Sequence, residues 1–219
     1  RVVAISDIRG GSIMDDRGID LNEALRLADS KKSIEEMPAK RKGLSALETI
    51  KESSCNAIAE VTWTNITDGQ PGYSHLKTAL SLGKHVATTN KGPIALHYRE
   101  LAGIAKAKGA KLKFKGTVLS GTPAFNLFDG ALAGCSVSAV RGIVNGTTNL
   151  ILSEMEKGRD YAEVLKEAQK MGYAEADPTM DVEGWDAAAK AAILANYFFE
   201  ADIKPQDVDR KGISAITLK

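Results

Sequence analysis

The sequence predicts an α/β fold built on a parallel sheet. Two observations favour this class. Short β-branched runs at residues 2–6, 57–64, 85–89 and 111–117 alternate with segments whose apolar residues recur at helical spacing. From residue 143 to 199 the helical spacing dominates, broken by glycine and proline.

Composition limits the class of protein. With 219 residues, 43% of them hydrophobic, the chain can bury a core and has room for two small domains. A net charge of +1 argues against a nucleic-acid surface, and Cys55 and Cys135 are typical of free thiols in a reducing cytosol. The sequence contains neither an apolar run of membrane-spanning length nor a signal peptide, so we expect a cytoplasmic protein. Because it opens on Arg1 inside a strand, we also expect it to be part of a longer protein.

The first predicted strand, at residues 2–6, is interpreted as buried and parallel and ends at Asp7. In dinucleotide-binding units an acid at the end of the second strand holds the ribose hydroxyls, about 20 residues after a glycine-rich phosphate turn. That turn would fall before residue 1, and the Gly10-Gly11 pair lacks the third glycine, so we interpret it as a loop. Arg9 could meet the 2′-phosphate of NADP, or it is an exposed loop arginine.

Residues 12–54 contain helices at 21–28 and 44–51 around a charged stretch. Strand 57–64 follows, and its carboxyl end carries Thr62, Trp63 and Thr64. Ligands bind at the carboxyl ends of parallel strands, so these residues are predicted to line the nicotinamide side. Simple packing is the alternative for Trp63.

A helix at 74–82, closed by Gly83, leads into strand 85–89 and an Asn-Lys turn at residues 90–91. We predict further helices at 97–108 and from Pro123 to about residue 132, and further strands at 136–144 and from about 212 to 216.

Five carboxylates lie between residues 175 and 186 with no basic residue among them. Helices are predicted at 143–157, at 161–171 and from about residue 181 or 184 to 199, and Pro178 keeps residues 173–180 a loop. Asp186 and Lys190 are four residues apart and share a face of the last helix. The unbalanced acid indicates a cationic ligand; the alternative is a surface ion pair beside solvated acids.

Three motifs occur in order across this region: Gly-Thr-Thr-Asn at 146–149, Gly-Tyr-Ala-Glu-Ala-Asp-Pro at 172–178 and Asp-Val-Glu-Gly-Trp-Asp-Ala-Ala-Ala-Lys at 181–190. Together they resemble the signature of the homoserine dehydrogenase family. The resemblance implies a partial Rossmann-type domain at 1–114, followed by a partial α+β domain at 115–219 for substrate binding and dimerisation. It also implies interconversion of L-homoserine and L-aspartate 4-semialdehyde with NAD or NADP, in threonine and methionine biosynthesis, by a homodimer.

The resemblance implies roles for individual residues. Lys190, Lys91 and Asp186 correspond to the catalytic group. Glu175 and Asp181, with Asp186, correspond to the acidic substrate pocket, and Gly172 lets backbone approach the cofactor. Thr147 and Asn149 are further candidates, as donors to the substrate carboxylate.

The family's crossover between domains has a glutamate that helps to hold a sodium ion, and this chain has Lys115 there. The lysine ammonium could occupy the cation's place, which argues against a sodium site. If a cation binds, the backbone carbonyls of Val118, Ser120 and Thr122 are its candidate ligands.

Two other functions stay open from the sequence. One is another amino-acid dehydrogenase or a semialdehyde enzyme on the same scaffold, although neither cysteine lies in a glycine-rich nucleophile turn. The other is a non-catalytic fragment that folds and dimerises without binding a cofactor.

Overall fold

The structure is a computed structural model that describes residues 1–217, and it divides into two compact units. The first unit consists of Arg1–Thr64, Gly69–Asn90 and Arg99–Phe114. The second consists of Asn65–Asp68, Lys91–Tyr98 and the described residues from Lys115 onward. No helix in residues 1–217 is both long and apolar enough to cross a membrane.

The first unit contains two three-stranded sheets and three complete helices. The antiparallel sheet consists of β1 (Ala4–Asp7), β2 (Gly11–Met14) and β3 (Arg41–Lys42). The parallel sheet consists of β4 (Ala57–Glu60), β5 (His85–Thr88) and β6 (Leu112–Lys113). The helices are α1 (Leu21–Asp29), α2 (Ala46–Glu52) and α3 (Gly72–Ser81). The predicted α/β class and these three helices are confirmed.

The prediction for the first strand is wrong in direction and burial. β1 pairs antiparallel with β2, and its last two residues are exposed. The cause is local: Asp7 Oδ1 accepts the backbone N–H groups of Arg9 at 2.8 Å and Gly10 at 2.5 Å, which closes a tight turn. Gly11, predicted as loop, has φ +85° and begins the returning strand. A hairpin this short can only join antiparallel strands.

Helix ends in this unit follow from capping residues. Asp20 accepts two backbone N–H groups at the start of α1, and Ser45 and Glu48 form a reciprocal capping box at the start of α2. Gly83 follows the end of α3 at φ +75°. A core of Ile13, Ala24, Leu27, Ile34 and Met37 joins α1 to β2 and to a 3₁₀ turn at Ile34–Glu36.

Helix α4 (Lys91–Ala107) starts six residues earlier than predicted. Pro93 favours its first turn, because proline lacks only an N–H that has no partner there. The helix is interrupted at His97, whose φ of −136° and ψ of 20° are not helical. The division between the two units falls one residue later, after Tyr98.

The regular elements in the described part of the second unit are helices and 3₁₀ turns, joined by loops. Its elements are α5 (Ala124–Asp129), α6 (Gly146–Glu156), α7 (Tyr161–Lys170), α8 (Thr179–Val182) and α9 (Trp185–Phe199). The predicted helices of this region are confirmed within a few residues. Ile151, Met155, Val164, Val182 and Ile213 form the core of these elements.

Two predicted strands are absent and two are clearly shortened. The strand predicted at 57–64 ends at Glu60, so Thr62, Trp63 and Thr64 follow β4 instead of lying within it. Residues 136–144 and 212–216 contain no strand, and the strand expected at 111–117 is reduced to β6 before a 3₁₀ turn at Lys115–Thr117. Residues 136–144 have β-branched residues, but a strand also needs a neighbour, and they pair with none within residues 1–217.

Candidate active site

Helix α9 carries an acid and a base on one face. Asp186 and Lys190 are one helical turn apart, and Lys190 Nζ lies 2.6 Å from Asp186 Oδ2. Gly184, at φ +78°, precedes the helix and places Asp186 in its first turn, where a negative charge is favourable. The predicted shared face is confirmed, but the pair is not solvated: the Asp186 side chain is 9% exposed and that of Lys190 is 14% exposed.

Lys91 contacts the same carboxylate as Lys190, but through its other oxygen. It opens helix α4, and its Nζ lies 3.2 Å from Asp186 Oδ1. The next residue, Gly92, is buried, and a Cβ there would overlap the carbonyl oxygen of Asn65. The segment that presents Lys91 is therefore packed directly against backbone.

Asp186 is ionised despite its burial. Burial raises the pKa of its carboxyl, but hydrogen bonds from Lys190 and Asn145, with the charges of Lys91 and Lys190, outweigh this effect. The pKa therefore lies below its ordinary value. One carboxylate holds two ammonium groups.

The start of helix α6 completes this cluster. Lys190 Nζ donates to the carbonyl of Val144 at 2.6 Å, which fixes a second of its three donor directions. Asn145, the N-cap of α6, donates from Nδ2 to Asp181 Oδ1 at 2.6 Å and to Asp186 Oδ2 at 2.9 Å. Asn145 was not among the predicted site residues, and its position before the Gly-Thr-Thr-Asn helix start is the signal that could have found it.

A cavity of about 570 Å³ opens beside both lysines. Its other walls are the 3₁₀ turn after β6 and the first turn of α6. The lining residues are Lys91, Gly116, Thr117, Leu119, Ser120, Ile143, Val144, Asn145, Gly146, Asn149 and Lys190. Asn149 is thus placed on the wall, whereas Thr147 is buried and donates its hydroxyl to the Tyr173 carbonyl at 2.9 Å.

The five acids have different environments. Asp181 and Asp186 meet at Asn145. Asp177 accepts the backbone N–H of Thr179 at 3.1 Å, and Glu183 accepts the Ser214 hydroxyl at 2.6 Å. Glu175 is exposed, and its backbone carbonyl, not its carboxylate, accepts a hydrogen bond from Gln169.

A separate cavity of about 1500 Å³ lies in the first unit. Asp7, Thr62 and Trp63 line it, and Trp63 is 56% exposed there. Arg9 and Thr64 are exposed but are not on its wall. An acid at a strand end, a hydroxyl and an open aromatic face fit the ribose and ring of a dinucleotide.

A buried polar network that was not predicted from the sequence lies at the carboxyl ends of β4 and β5. Glu60 is 3% exposed; its carboxylate accepts the hydroxyl of Thr62, and at 3.1 Å that of Thr88, and lies 3.6 Å from His75 Nδ1. Asn90 joins the network by donating its backbone N–H to the Thr88 hydroxyl at 3.0 Å. Burial raises the pKa of Glu60, but the hydrogen bonds from His75, Thr62 and Thr88 outweigh it and leave that pKa below its ordinary value.

The turn that follows β6 carries a positive charge. Lys115 Nζ lies 2.8 Å from Asp129 Oδ2, and Asp129 also accepts the hydroxyl of Tyr197. The carbonyl oxygen of Thr122 accepts the N–H of Ala124 at 2.9 Å.

The remaining candidates are residues predicted to act through their backbone. Val118 is fully buried, and Ser120 is exposed at φ +50°. Gly172 adopts φ +78° just after α7 and is exposed. Within residues 1–217, no group of three or more His, Cys, Asp or Glu side chains is arranged to hold a metal ion.

The chain is similar to known proteins. Residues 123–219 match the family model described as homoserine dehydrogenase. The NAD(+)-dependent homoserine dehydrogenase of Pseudomonas canavaninivorans is 44% identical over 218 residues, which cover 100% of this chain and 62% of that protein.

Two solved structures are also similar. A putative homoserine dehydrogenase from Archaeoglobus fulgidus superposes with a TM-score of 0.85 at 38% identity, covering 100% of this chain and 64% of the other. A mutant of a hyperthermophilic archaeal homoserine dehydrogenase, in complex with NADPH, gives a TM-score of 0.85 at 32% identity, covering 98% of this chain and 65% of the other. The chain thus spans less than two thirds of the length of these proteins.

Proposed function

We propose that this chain, which belongs to the homoserine dehydrogenase family, forms the larger part of an enzyme that interconverts L-homoserine and L-aspartate 4-semialdehyde with NAD or NADP. The single observation that carries the proposal is the pair of lysines held by one buried carboxylate beside a cavity. We further propose that the enzyme is a cytoplasmic homodimer serving threonine and methionine biosynthesis.

Lys190 acts as the proton donor and acceptor. Oxidation of an alcohol requires a base at the hydroxyl oxygen, and reduction of the aldehyde requires an acid at the same atom. Asp186 and the Val144 carbonyl each accept an N–H of Lys190 Nζ, which leaves its third position on the cavity wall for the proton that moves. Lys190 takes the proton as a neutral amine during oxidation and gives it back as an ammonium group during reduction. The nicotinamide, when bound, supplies or accepts the hydride.

Lys91 supplies a second positive charge on the same wall. An oxygen that loses its proton during oxidation becomes more negative, and a fixed ammonium group stabilises that charge at little reorganisation cost. Asp186 fixes both lysines through its two oxygens, so its role in the reaction is to orient and to balance charge.

The substrate is an amino acid, and its ammonium group needs an anionic partner. Asp181 accepts one described hydrogen bond, from Asn145, and so has acceptor capacity left for this group. Glu175, exposed on the loop after α7, is the second candidate, and Asn149 on the cavity wall is a candidate donor to the substrate carboxylate.

The first unit would hold the cofactor. We assign Asp7 to the ribose hydroxyls and Thr62 and Trp63, which line the same cavity, to the nicotinamide side. We assign Thr64 to the nicotinamide side and Arg9 to a 2′-phosphate from their places in the sequence alone. We assign Gly172 to the approach of backbone to the cofactor because it has no side chain. At the turn after β6, the Lys115 ammonium, paired with Asp129, takes the place of a sodium ion.

The proposal is tested by changing Lys190 to alanine in the full-length product of the gene. Turnover of L-homoserine, followed by the absorbance of the reduced nicotinamide, should fall between about 100- and 10,000-fold because the proton has no carrier. Binding of NADPH, measured by its fluorescence, should be unchanged.

The matched control is Lys157→Ala, which removes an exposed lysine of the same unit whose partner is Glu154 at 2.6 Å. It should leave turnover unchanged. Equal loss of turnover and cofactor binding in Lys190→Ala, with turnover intact in the control, would contradict the catalytic assignment.

A further inference from the structure

The side-chain oxygen of Asn145 caps helix α6. As the N-cap of α6, its side-chain oxygen accepts the backbone N–H of Thr148 at 2.8 Å and the Thr148 hydroxyl at 3.0 Å. Because a nitrogen could not accept these hydrogens, the cap fixes which end of the amide faces the helix.

The other end of the amide therefore faces the acids. Its two N–H groups go to two different carboxylates, Asp181 and Asp186, which lie 36 and 41 residues along the chain. Asn145 is itself only 8% exposed. Both carboxylate oxygens lie within hydrogen-bond distance of one nitrogen, so the two acids are close neighbours.

Neighbouring carboxylates repel each other, and such pairs commonly retain a proton between them. The charged groups around this pair are unevenly shared: Lys190 from α9 and Lys91 from α4 both contact Asp186, whereas the described hydrogen bond to the Asp181 carboxylate comes from Asn145. The amide of Asn145 thus places a neutral double donor between the two carboxylates.

We propose that Asn145 is a positioning residue that holds Asp181 beside Asp186 as a charged carboxylate. The consequence for catalysis, a preformed anionic partner for the ammonium group of the substrate, rests on the proposed function. The claim about Asp181 itself concerns this chain alone and can be tested without substrate.

The test uses two substitutions that keep the helix cap. Asn145→Ser preserves a cap acceptor but is too short to bridge the acids, and Asn145→Asp preserves the acceptor but replaces the two N–H donors with a third carboxylate. Because serine and aspartate are as good as asparagine at an N-cap, we expect both proteins to fold with a thermal midpoint close to that of the parent.

The measurement is a ¹³C NMR titration of the aspartate carboxyl groups in the full-length product without ligands, with Asp181→Asn and Asp186→Asn used to assign the signals. The expected result is an upward shift of the pKa of Asp181 in Asn145→Ser and a larger shift in Asn145→Asp. Unchanged titration of both acids in the folded Asn145→Ser and Asn145→Asp proteins would overturn the proposal.

Kinetics separate this proposal from the proposed function. We expect the KM for L-homoserine in Asn145→Ser to rise by roughly tenfold to a hundredfold, with a smaller change in kcat. A shifted titration in a protein that does not oxidise homoserine would contradict the proposed function and leave the role of Asn145 intact. If the Asn145 variants turned over L-homoserine normally and their aspartates titrated as in the parent, the role of Asn145 would be contradicted and the proposed function would stand.

Discussion

Each unit contains a buried carboxylate held by several side chains, Glu60 in the first and Asp186 in the second, and these two are stabilised differently. Asp186 in the second unit is 7% exposed and has two lysines and an amide as partners. Glu60 in the first unit is 3% exposed and has two threonine hydroxyls and an imidazole. In both, hydrogen bonds outweigh the burial that raises the pKa, and the pKa lies below its ordinary value.

The difference shows what burial of an acid can be used for. Neutral hydroxyl partners at Glu60 tie β4 to β5 at their carboxyl ends, because Thr88 lies on the neighbouring strand. Ammonium partners at Asp186 bring groups that can carry a proton to a cavity wall. A buried acid with neutral donors is therefore interpreted as structural, and one with lysine donors beside a cavity as a candidate catalytic group.

The largest effect is expected from Asp186→Asn, which removes the charge shared by both lysines. We expect the free energy of unfolding to fall by about 3 kcal/mol, because two partly buried ammonium groups lose their counter-ion. Denaturant unfolding measures the change. Adding Lys190→Met should restore part of the loss, and no recovery in the double variant would show that the lysine charge is not the cause.

A smaller effect is expected from Glu60→Gln, the same change of a carboxylate to an amide in the first unit. The amide oxygen can still accept a threonine hydroxyl, so we expect a loss of about 1 kcal/mol by the same unfolding measurement. If Glu60→Gln cost more than Asp186→Asn, the distinction between neutral and charged partners would be wrong.

The smallest effect is expected in the pH dependence of the loss in unfolding free energy that Asp186→Asn causes. A carboxyl whose folded pKa is depressed contributes stability that is present above the unfolded pKa, about 4, and is lost as the pH falls through the folded pKa. The gap in unfolding free energy between the parent and Asp186→Asn should therefore narrow as the pH falls below about 4. A gap that widened in acid would contradict the direction of the pKa shift.

The local features of the site could be predicted from the sequence. The spacing of Asp186 and Lys190 puts them on one helix face whatever packs on it. In the structure Lys190 Nζ lies 2.6 Å from Asp186 Oδ2. Gly172 ends α7 in the same local way, whereas the loop predicted at 173–180 is two residues too long, because α8 begins at Thr179 directly after Pro178. Such features depend on a few adjacent residues, which a single sequence displays.

The features that were missed depend on partners far away in sequence. Asn145 resembles an ordinary turn residue until Asp181 and Asp186 fold against it, and Glu60 is a strand residue until His75 and Thr88 meet it. The reversed direction of β1 has another cause, since hydrogen bonds of Asp7 within four residues decided it against the buried parallel strand that its apolar pattern predicted.

Gly92 has a consequence for how inactive alleles of this gene would be interpreted. Any side chain at this position overlaps the Asn65 carbonyl oxygen, next to the residue that carries one of the two ammonium groups. An allele altered there would encode every chemically reactive group of the site and still present Lys91 from a displaced backbone. A survey that scored only reactive side chains would count such an allele as intact, because position 92 contributes to the site by having no side chain.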